Sequence, residues 1–167
     1  FLREGSAIND ALNPDRIVIG SETEETREIL NNLFDVWDSK KIFVNSRTAE
    51  MIKYSNNALL ALLISMANEI SNLTRQIGKI KFSDISEGVK YDRRWNTKEE
   101  VFMFPDVLKY FKPGPGFGGS CFPKDVKALL SFGKEFGAEM DICKSIISVN
   151  QKQHLEILKI LKSKLLL

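Results

Sequence analysis

One histidine, His154, and two cysteines, Cys121 and Cys143, are all this chain has of the two residue types that build zinc clusters. Two separated cysteines are too few for a disulfide framework. With one histidine they form no Cys/His cluster at any usual zinc spacing, so no metal is expected. An excess of charge is lacking too: 24 Lys and Arg against 22 Asp and Glu leave a net charge of +2. That is no electrostatic footprint for nucleic acid. The basic run Lys159–Lys164 lies in an amphipathic tail and reads as a solvated helix face. No apolar run approaches the roughly 20 residues of a membrane span. No signal-peptide pattern, internal repeat or low-complexity stretch is present, so the expected setting is cytoplasmic, without a membrane partner. The chain begins at Phe1 in mid-pattern and reads as an excised piece of a larger protein.

What remains is an ordinary globular composition of 167 residues, 43% hydrophobic, with enough apolar surface for a core. Asn9–Asp15 reads as an acidic, turn-rich link. Arg16–Gly20 (R-I-V-I-G) has the β-branched content of a short buried strand. Ser21 stands three residues ahead of Glu24, as a helix cap would. Ile29, Leu30, Leu33, Phe34 and Trp37 follow at helical spacing. Lys41–Val44 is a second strand, so residues 1–45 read as the end of an α/β domain. From Ser46 the pattern is helical, with Ser46 or Thr48 as cap and no Gly or Pro before Gly78. That predicts a helix of about 45 Å at 1.5 Å rise per residue. Its middle, Ala58–Ile64, is apolar nearly all round, as if a neighbouring subunit covered part of it. Ser83 is expected to cap a short helix through Val89, Tyr91–Asp106 reads as an irregular excursion, and Asp125–Phe136 and Met140–Leu167 read as helices.

Between them lies Pro113–Asp125, P-G-P-G-F-G-G-S-C-F-P-K-D, with four glycines and two prolines in its first seven residues. Such a run cannot be regular helix or strand. Gly114, Gly116 and Gly119 satisfy G-x-G-x-x-G, but the dinucleotide reading needs a strand before the loop and a smooth turn into a helix. Lys109–Pro113 is a poor strand and the prolines block that turn. A P-loop fails because Ser120 stands where its Lys belongs.

Cys121 has two readings: a nucleophilic thiol near Lys124 and a helix start, or a buried structural cysteine. Cys143 reads as core and His154 as a surface helix residue, which leaves no Cys–His pair. Lys53 and Asn57, at i and i+4, project from one helix face. A solvated lysine is the plainer account of Lys53, and Glu4 carries the same ambiguity.

Four ordered blocks carry a resemblance: F-L-R-E-G-S-A (Phe1–Ala7), N-P-D-R-I-V-I-G (Asn13–Gly20), A-E-x-x-K-x-x-x-N (Ala49–Asn57) and G-F-G-G-S-C-F-P-K-D (Gly116–Asp125). Together they resemble the UDP-glucose/GDP-mannose dehydrogenases, over nearly the whole chain. The resemblance implies a mainly α fold: a helical central, dimerising domain at 46–167, preceded by a β-α-β remnant of a Rossmann NAD domain at 1–45. It implies NAD as cofactor, bound mainly by a preceding domain, a nucleotide-sugar substrate and a homodimer through the long helix.

The implied chemistry is double oxidation of a sugar C6 alcohol to a carboxylate. Cys121 would attack the aldehyde, Lys53 and Asn57 would stabilise the oxyanion, and Asp125 would tune the lysine and the water network. Lys124 falls on the cofactor side. Lys112, Gly114, Gly116, Phe117 and Gly118 would wrap the sugar nucleotide, with backbone N–H groups open to phosphate, and Phe1, Leu2, Arg3 and Glu4 would line the substrate. The glutamate that such enzymes carry before the Phe-Leu pair is not in this sequence. An Arg reaching the partner's substrate has only Arg93 or Arg94 as counterpart. The Gly-Gly-Ser-Cys motif and the P-G-P-G-F lead-in resemble the UDP-glucose branch, with GDP-mannose, another UDP-sugar or a bare dimerisation module as alternatives.

Overall fold

Three consecutive β-branched residues, Ile17–Ile19, make Arg16–Gly20 an extended segment (β1) in the computed structural model, which describes residues 2–3, 5–95 and 106–165. It pairs in parallel with Lys40–Val44 (β2), in a register running from Arg16↔Lys40 to Gly20↔Val44. Ser21 N extends the ladder by donating to Val44 O at 2.8 Å. Ser39 Oγ donates to Pro14 O at 2.6 Å and ties the two strand starts together. Among the described residues the rest is helical: α1 (Ala7–Leu12), α2 (Glu24–Leu33), α3 (Ser46–Ile77), α4 (Phe82–Lys90), a 3-10 turn (Asp106–Tyr110), α5 (Phe122–Glu135) and α6 (Asp141–Leu165). The mainly helical fold with a β-α-β segment is the one expected. The chain divides into two compact units, Phe1–Ser55 and Asn56–Leu167.

In the first unit the stretch expected to be a link contains α1. Its organiser is Asp10, buried at 8% exposure, whose carboxylate accepts from the backbone N–H and guanidinium of Arg3 and from Ser6 Oγ. The Arg3 hydrogen bonds hold its carboxyl well below the usual carboxylate range. The helix starts also differ from expectation. Thr23, not Ser21, caps α2 by accepting from Thr26 N at 3.2 Å, while buried Ser21 donates to Thr23 O. Asn45 Oδ1 accepts from Thr48 N at 2.8 Å and Glu22 from Ser46 N at 2.9 Å, so neither Ser46 nor Thr48 caps α3. The hydrogen bonds from Ser46, the backbone one first, lower the Glu22 pKa. A side-chain oxygen just outside the helix answers its orphan N–H groups better than one within the first turn.

α3 runs 32 residues, about 48 Å, and ends at Gly78, whose φ of 75° few other residues tolerate. In the second unit its inner face is small or polar: Asn57, Ala58, Ala61, Ser65, Ala67 and Asn68 are buried. The apolar run is not covered all round, because Leu59, Met66 and Leu73 are 62%, 45% and 55% exposed at heptad spacing. Ala67, Leu108 and Phe111 form the buried cluster, with Ile70, Phe82 and Val89 against it. Ser83 lies inside α4 and bonds Asp84; the cap position is Lys81, which makes no side-chain cap. α5 packs on α6 and passes through Gly133, where a Cβ would strike Met140. The reversal comes at Gly137, with φ 73°. No helix among the described residues is long and apolar enough to cross a membrane.

Asp10 makes the first unit acid-sensitive. Its folded pKa lies below the unfolded value of about 3.9, so its contribution is complete above that value and fades as pH falls toward the folded one. Asp10→Asn should be less stable than wild type at pH 7, with a flatter loss between about pH 4 and 2. Circular dichroism across that range tests this; superimposable acid limbs would rule the carboxylate out.

Candidate active site

Among the described residues the glycine run is held by side-chain amides from two helices. Gly114 N donates to Asn68 Oδ1 at 2.8 Å, and Gly114 O accepts from Gln153 Nε2 at 2.8 Å. Phe117 N donates to Asn150 Oδ1 at 2.7 Å, and Phe117 O accepts from Asn150 Nδ2 at 2.9 Å. Asn72 Nδ2 donates to Gln153 Oε1 at 3.0 Å and fixes which way that amide faces. Gly116 adopts φ 101°, and a Cβ there would run into Asn150 Oδ1, so glycine is favoured on both counts. The Phe117 ring is buried and meets Phe122 edge-on at 6.1 Å. Two N–H groups expected to be open to phosphate, those of Gly114 and Phe117, are therefore already engaged. Gly118, Gly119, Ser120 and Cys121 stay exposed.

Cys121 occupies the N-cap position of α5, and Asp125 N closes the first helical turn on Cys121 O at 2.8 Å. Pro123 fits that first turn because no N–H is needed there, so α5 begins at Phe122, slightly earlier than expected. Asp125, one turn on, has no solvent exposure. Asn57 Nδ2 donates to its Oδ2 at 2.6 Å across 68 residues of chain. Lys124 Nζ lies 2.6 Å from Oδ1, with its own side chain 64% exposed. The exposed thiol thus shares a helix start with a buried carboxylate that ties α5 to α3. Of the two readings of Cys121, the buried one is excluded. Cys143 is the buried thiol, and burial pushes its pKa up.

Of the other expected site residues, Phe1–Glu4 and Lys53 fall in the first unit, and Lys112 and the excursion arginines in the second. Lys53 stands one turn before Asn57 on α3, and it lines a concavity of about 610 Å³ with Leu2, Arg16, Ile17, Phe34 and Trp37 among others. Arg3 is engaged by Asp10. Phe1 and Glu4 lie outside the described residues, as does 96–105 of the excursion. Lys112 is exposed at the mouth of the loop. Arg94 forks onto Asp92 and holds that carboxyl down at about 2.

A dinucleotide does not fit these residues by themselves. The β1–α2 junction is Gly20-Ser21-Glu22-Thr23, which has no glycine-rich phosphate turn, and the Glu22 carboxylate already accepts from Ser46 N at the α3 N-terminus. Gly20 serves packing instead, since a Cβ there would come within 3.0 Å of Ala49 and Ser46.

Sequence reasoning missed Asn68, Asn150 and Gln153. Asn68 and Gln153 are 0% and 3% exposed, and an amide in helical register with buried Ala61 and Ser65 on α3, or with Ile146 on α6, was the available signal. Asn68 Nδ2 and Ser65 Oγ are buried with no hydrogen-bond partner among the described residues.

Two outcomes follow from this geometry. Iodoacetamide should modify Cys121 about tenfold or more faster than Cys143, read by mass spectrometry of the folded chain. Equal rates would contradict the burial assigned to Cys143. Asn57→Ala should cost about 1–3 kcal/mol in denaturant unfolding, because it leaves a buried carboxylate short of a donor; an unchanged midpoint would mean that the bond contributes nothing.

Comparison with known proteins gives the same frame. The profile of the UDP-glucose/GDP-mannose dehydrogenase family, central domain, matches residues 47–152, and that of the family's NAD binding domain matches residues 1–38. UDP-glucose 6-dehydrogenase TuaD of Bacillus subtilis (strain 168) is 40% identical over 157 residues, covering 94% of this chain and 32% of that protein. The structure of a UDP-glucose dehydrogenase from Pyrobaculum islandicum matches with a TM-score of 0.86 and 39% identity, covering 99% of this chain and 35% of that one. The GDP-mannose dehydrogenase of Pseudomonas aeruginosa matches with a TM-score of 0.52 and 32% identity, over 92% and 33%. The chain spans about a third of the length of each relative. The Cys121 loop, the Asn57–Asp125 bond and the β-α-β segment thus stand in one continuous match, and the chain belongs to the UDP-glucose/GDP-mannose dehydrogenase family.

Proposed function

We propose that this chain carries the nucleophile of an NAD-dependent UDP-glucose 6-dehydrogenase, which oxidises the C6 alcohol of UDP-glucose to the carboxylate of UDP-glucuronate. The observation that carries the reading is the exposed Cys121 thiol at the start of α5, one turn from the buried Asp125–Asn57 pair. NAD would supply the hydride acceptor for both oxidations. After the first oxidation the Cys121 sulfur adds to the C6 aldehyde, forming a C–S bond and leaving charge on oxygen. Lys53 and Asn57, cation and neutral donor one turn apart on α3, are suited to that oxygen. Loss of hydride from C6 converts the thiohemiacetal to a thioester, and water cleaves its C–S bond to the carboxylate and frees the thiol. A soft, good-leaving sulfur serves both steps, where serine would give an adduct harder to oxidise and to cleave. Lys112 and Gly114–Gly118 are the substrate-facing loop in this reading, with Leu2 and Arg3, while Asp125 orders the polar groups and Lys124 faces the cofactor.

UDP-glucose is favoured over GDP-mannose by the better structural match to the archaeal UDP-glucose dehydrogenase than to the GDP-mannose enzyme. A homodimer through α3 is favoured by the exposed heptad stripe of Leu59, Met66 and Leu73. The test is NADH formation by the full-length enzyme containing this chain. UDP-glucose should give two equivalents of NADH per sugar and GDP-mannose none. Cys121→Ala should lower kcat by about three orders of magnitude or more. Wild-type turnover without the thiol would remove the covalent mechanism.

A further inference from the structure

Cys121 is positioned by what holds the loop before it, and that hold is unequal. Gly114 is gripped by two different helices, through Asn68 and Gln153. Phe117 is gripped at both backbone groups by one side chain, Asn150 of α6. A carboxamide is the isostere of a peptide unit, so Asn150 takes the place of a neighbouring strand and pairs N–H with C=O and C=O with N–H. A Cβ at Gly116 would press directly on Asn150 Oδ1. The same Phe117 sets its ring against Phe122, the first residue of α5, and Phe122 also meets Tyr110 edge-on at 6.1 Å. Three residues separate Phe117 from Cys121, and all of them, Gly118, Gly119 and Ser120, are exposed. The fixed points nearest the thiol are therefore the Asn150 clamp upstream and the buried Asp125 downstream.

We infer that Asn150 is a positioning residue for Cys121: its two-point clamp on Phe117 fixes the register in which the loop presents the thiol to the substrate. The inference rests on the proposed role of Cys121 and goes beyond it, because it assigns turnover to a side chain on α6 that touches no reacting atom. The chemistry of the clamp gives it a signature. Asn150→Asp keeps the acceptor for Phe117 N but sets a carboxylate oxygen against Phe117 O, a contact of two acceptors. Protonation turns that oxygen into an O–H donor and restores the second bond, so the defect should reverse with acid. Asn150→Ala loses both bonds, and acid cannot restore either.

The test uses the full-length enzyme. At pH 8 both variants should lower kcat/KM about tenfold to a hundredfold, the scale of a misplacement of roughly 1 Å. Lys152→Ala, exposed on the same helix, should match wild type. The ratio of Asn150→Asp to wild-type kcat/KM should rise as pH is lowered from 8 to 5, and that of Asn150→Ala should stay flat. Losses below twofold, or a flat ratio for Asn150→Asp, overturn the inference. Should both variants fail to fold, Gly116→Ala presses on the same contact from the loop side, and wild-type turnover in it also overturns the inference.

Hydrogen exchange at the Phe117 N–H separates the clamp from the catalytic reading. It should quicken about tenfold or more in Asn150→Ala or Gly116→Ala, as expected for a lost hydrogen bond; unchanged exchange counts against the clamp. Turnover retained in Cys121→Ala would instead sink the catalytic role alone and leave the exchange result standing.

Discussion

A carboxylate with no solvent exposure must be answered from within the protein, and Asp125 is answered by Lys124 beside it and, from α3, by Asn57, each at 2.6 Å. Burying an ion without partners costs several kcal/mol, so the N-terminus of α5 is obliged to stay where Asn57 can reach it. Much of the second unit follows from that obligation. α3 must bring an amide to α5 at that height, and Asn57 does so from a buried position. Cys121, one turn upstream on α5, inherits its place from the same bond. The exposed thiol needs little of its own to be located, because its backbone is fixed by groups that never meet solvent.

The loop before Cys121 repeats the principle with backbone in place of charge. A run of four glycines and two prolines has no regular partner for its peptide groups, and unpaired ones are costly when buried. Here helices supply the partners through Asn68, Gln153 and Asn150. A G-x-G-x-x-G string can thus arise with no dinucleotide chemistry. In this chain its glycines answer the approach of Asn150 and a positive φ at Gly116.

What was legible in the sequence, and what was not, divides along a physical line. β1, β2, the length of α3 and the break at Gly78 follow from β-branched content and from Gly and Pro placement, which act locally. The pairing of Asn57 with Asp125 needed more: periodicity placed Asn57 on a face, and the family resemblance gave that face its significance. The caps were misread because Ser21, Ser46 and Ser83 compete with Thr23, Asn45 and Lys81 for the same positions, and three-dimensional reach decides among them. α1 was missed because six residues carry almost no periodic signal, and its anchor, Arg3 on Asp10, spans seven positions. The amide clamp was missed because a search for apolar stripes counts Asn and Gln as surface.

A loop fastened by its peptide groups differs from one fastened by its side chains in how it can change over generations. The hydrogen bonds on Gly114 and Phe117 use only main-chain atoms of the loop. At Pro115 and Gly118, where no bond to the frame is made through a side chain, mutation can alter what the loop presents to a ligand and leave its position intact. Drift at Asn150 or Gln153, far off in sequence, would move the whole platform. Such an arrangement separates the residues free to diversify from those that cannot, so the face of the loop can change without the frame beneath it being rebuilt.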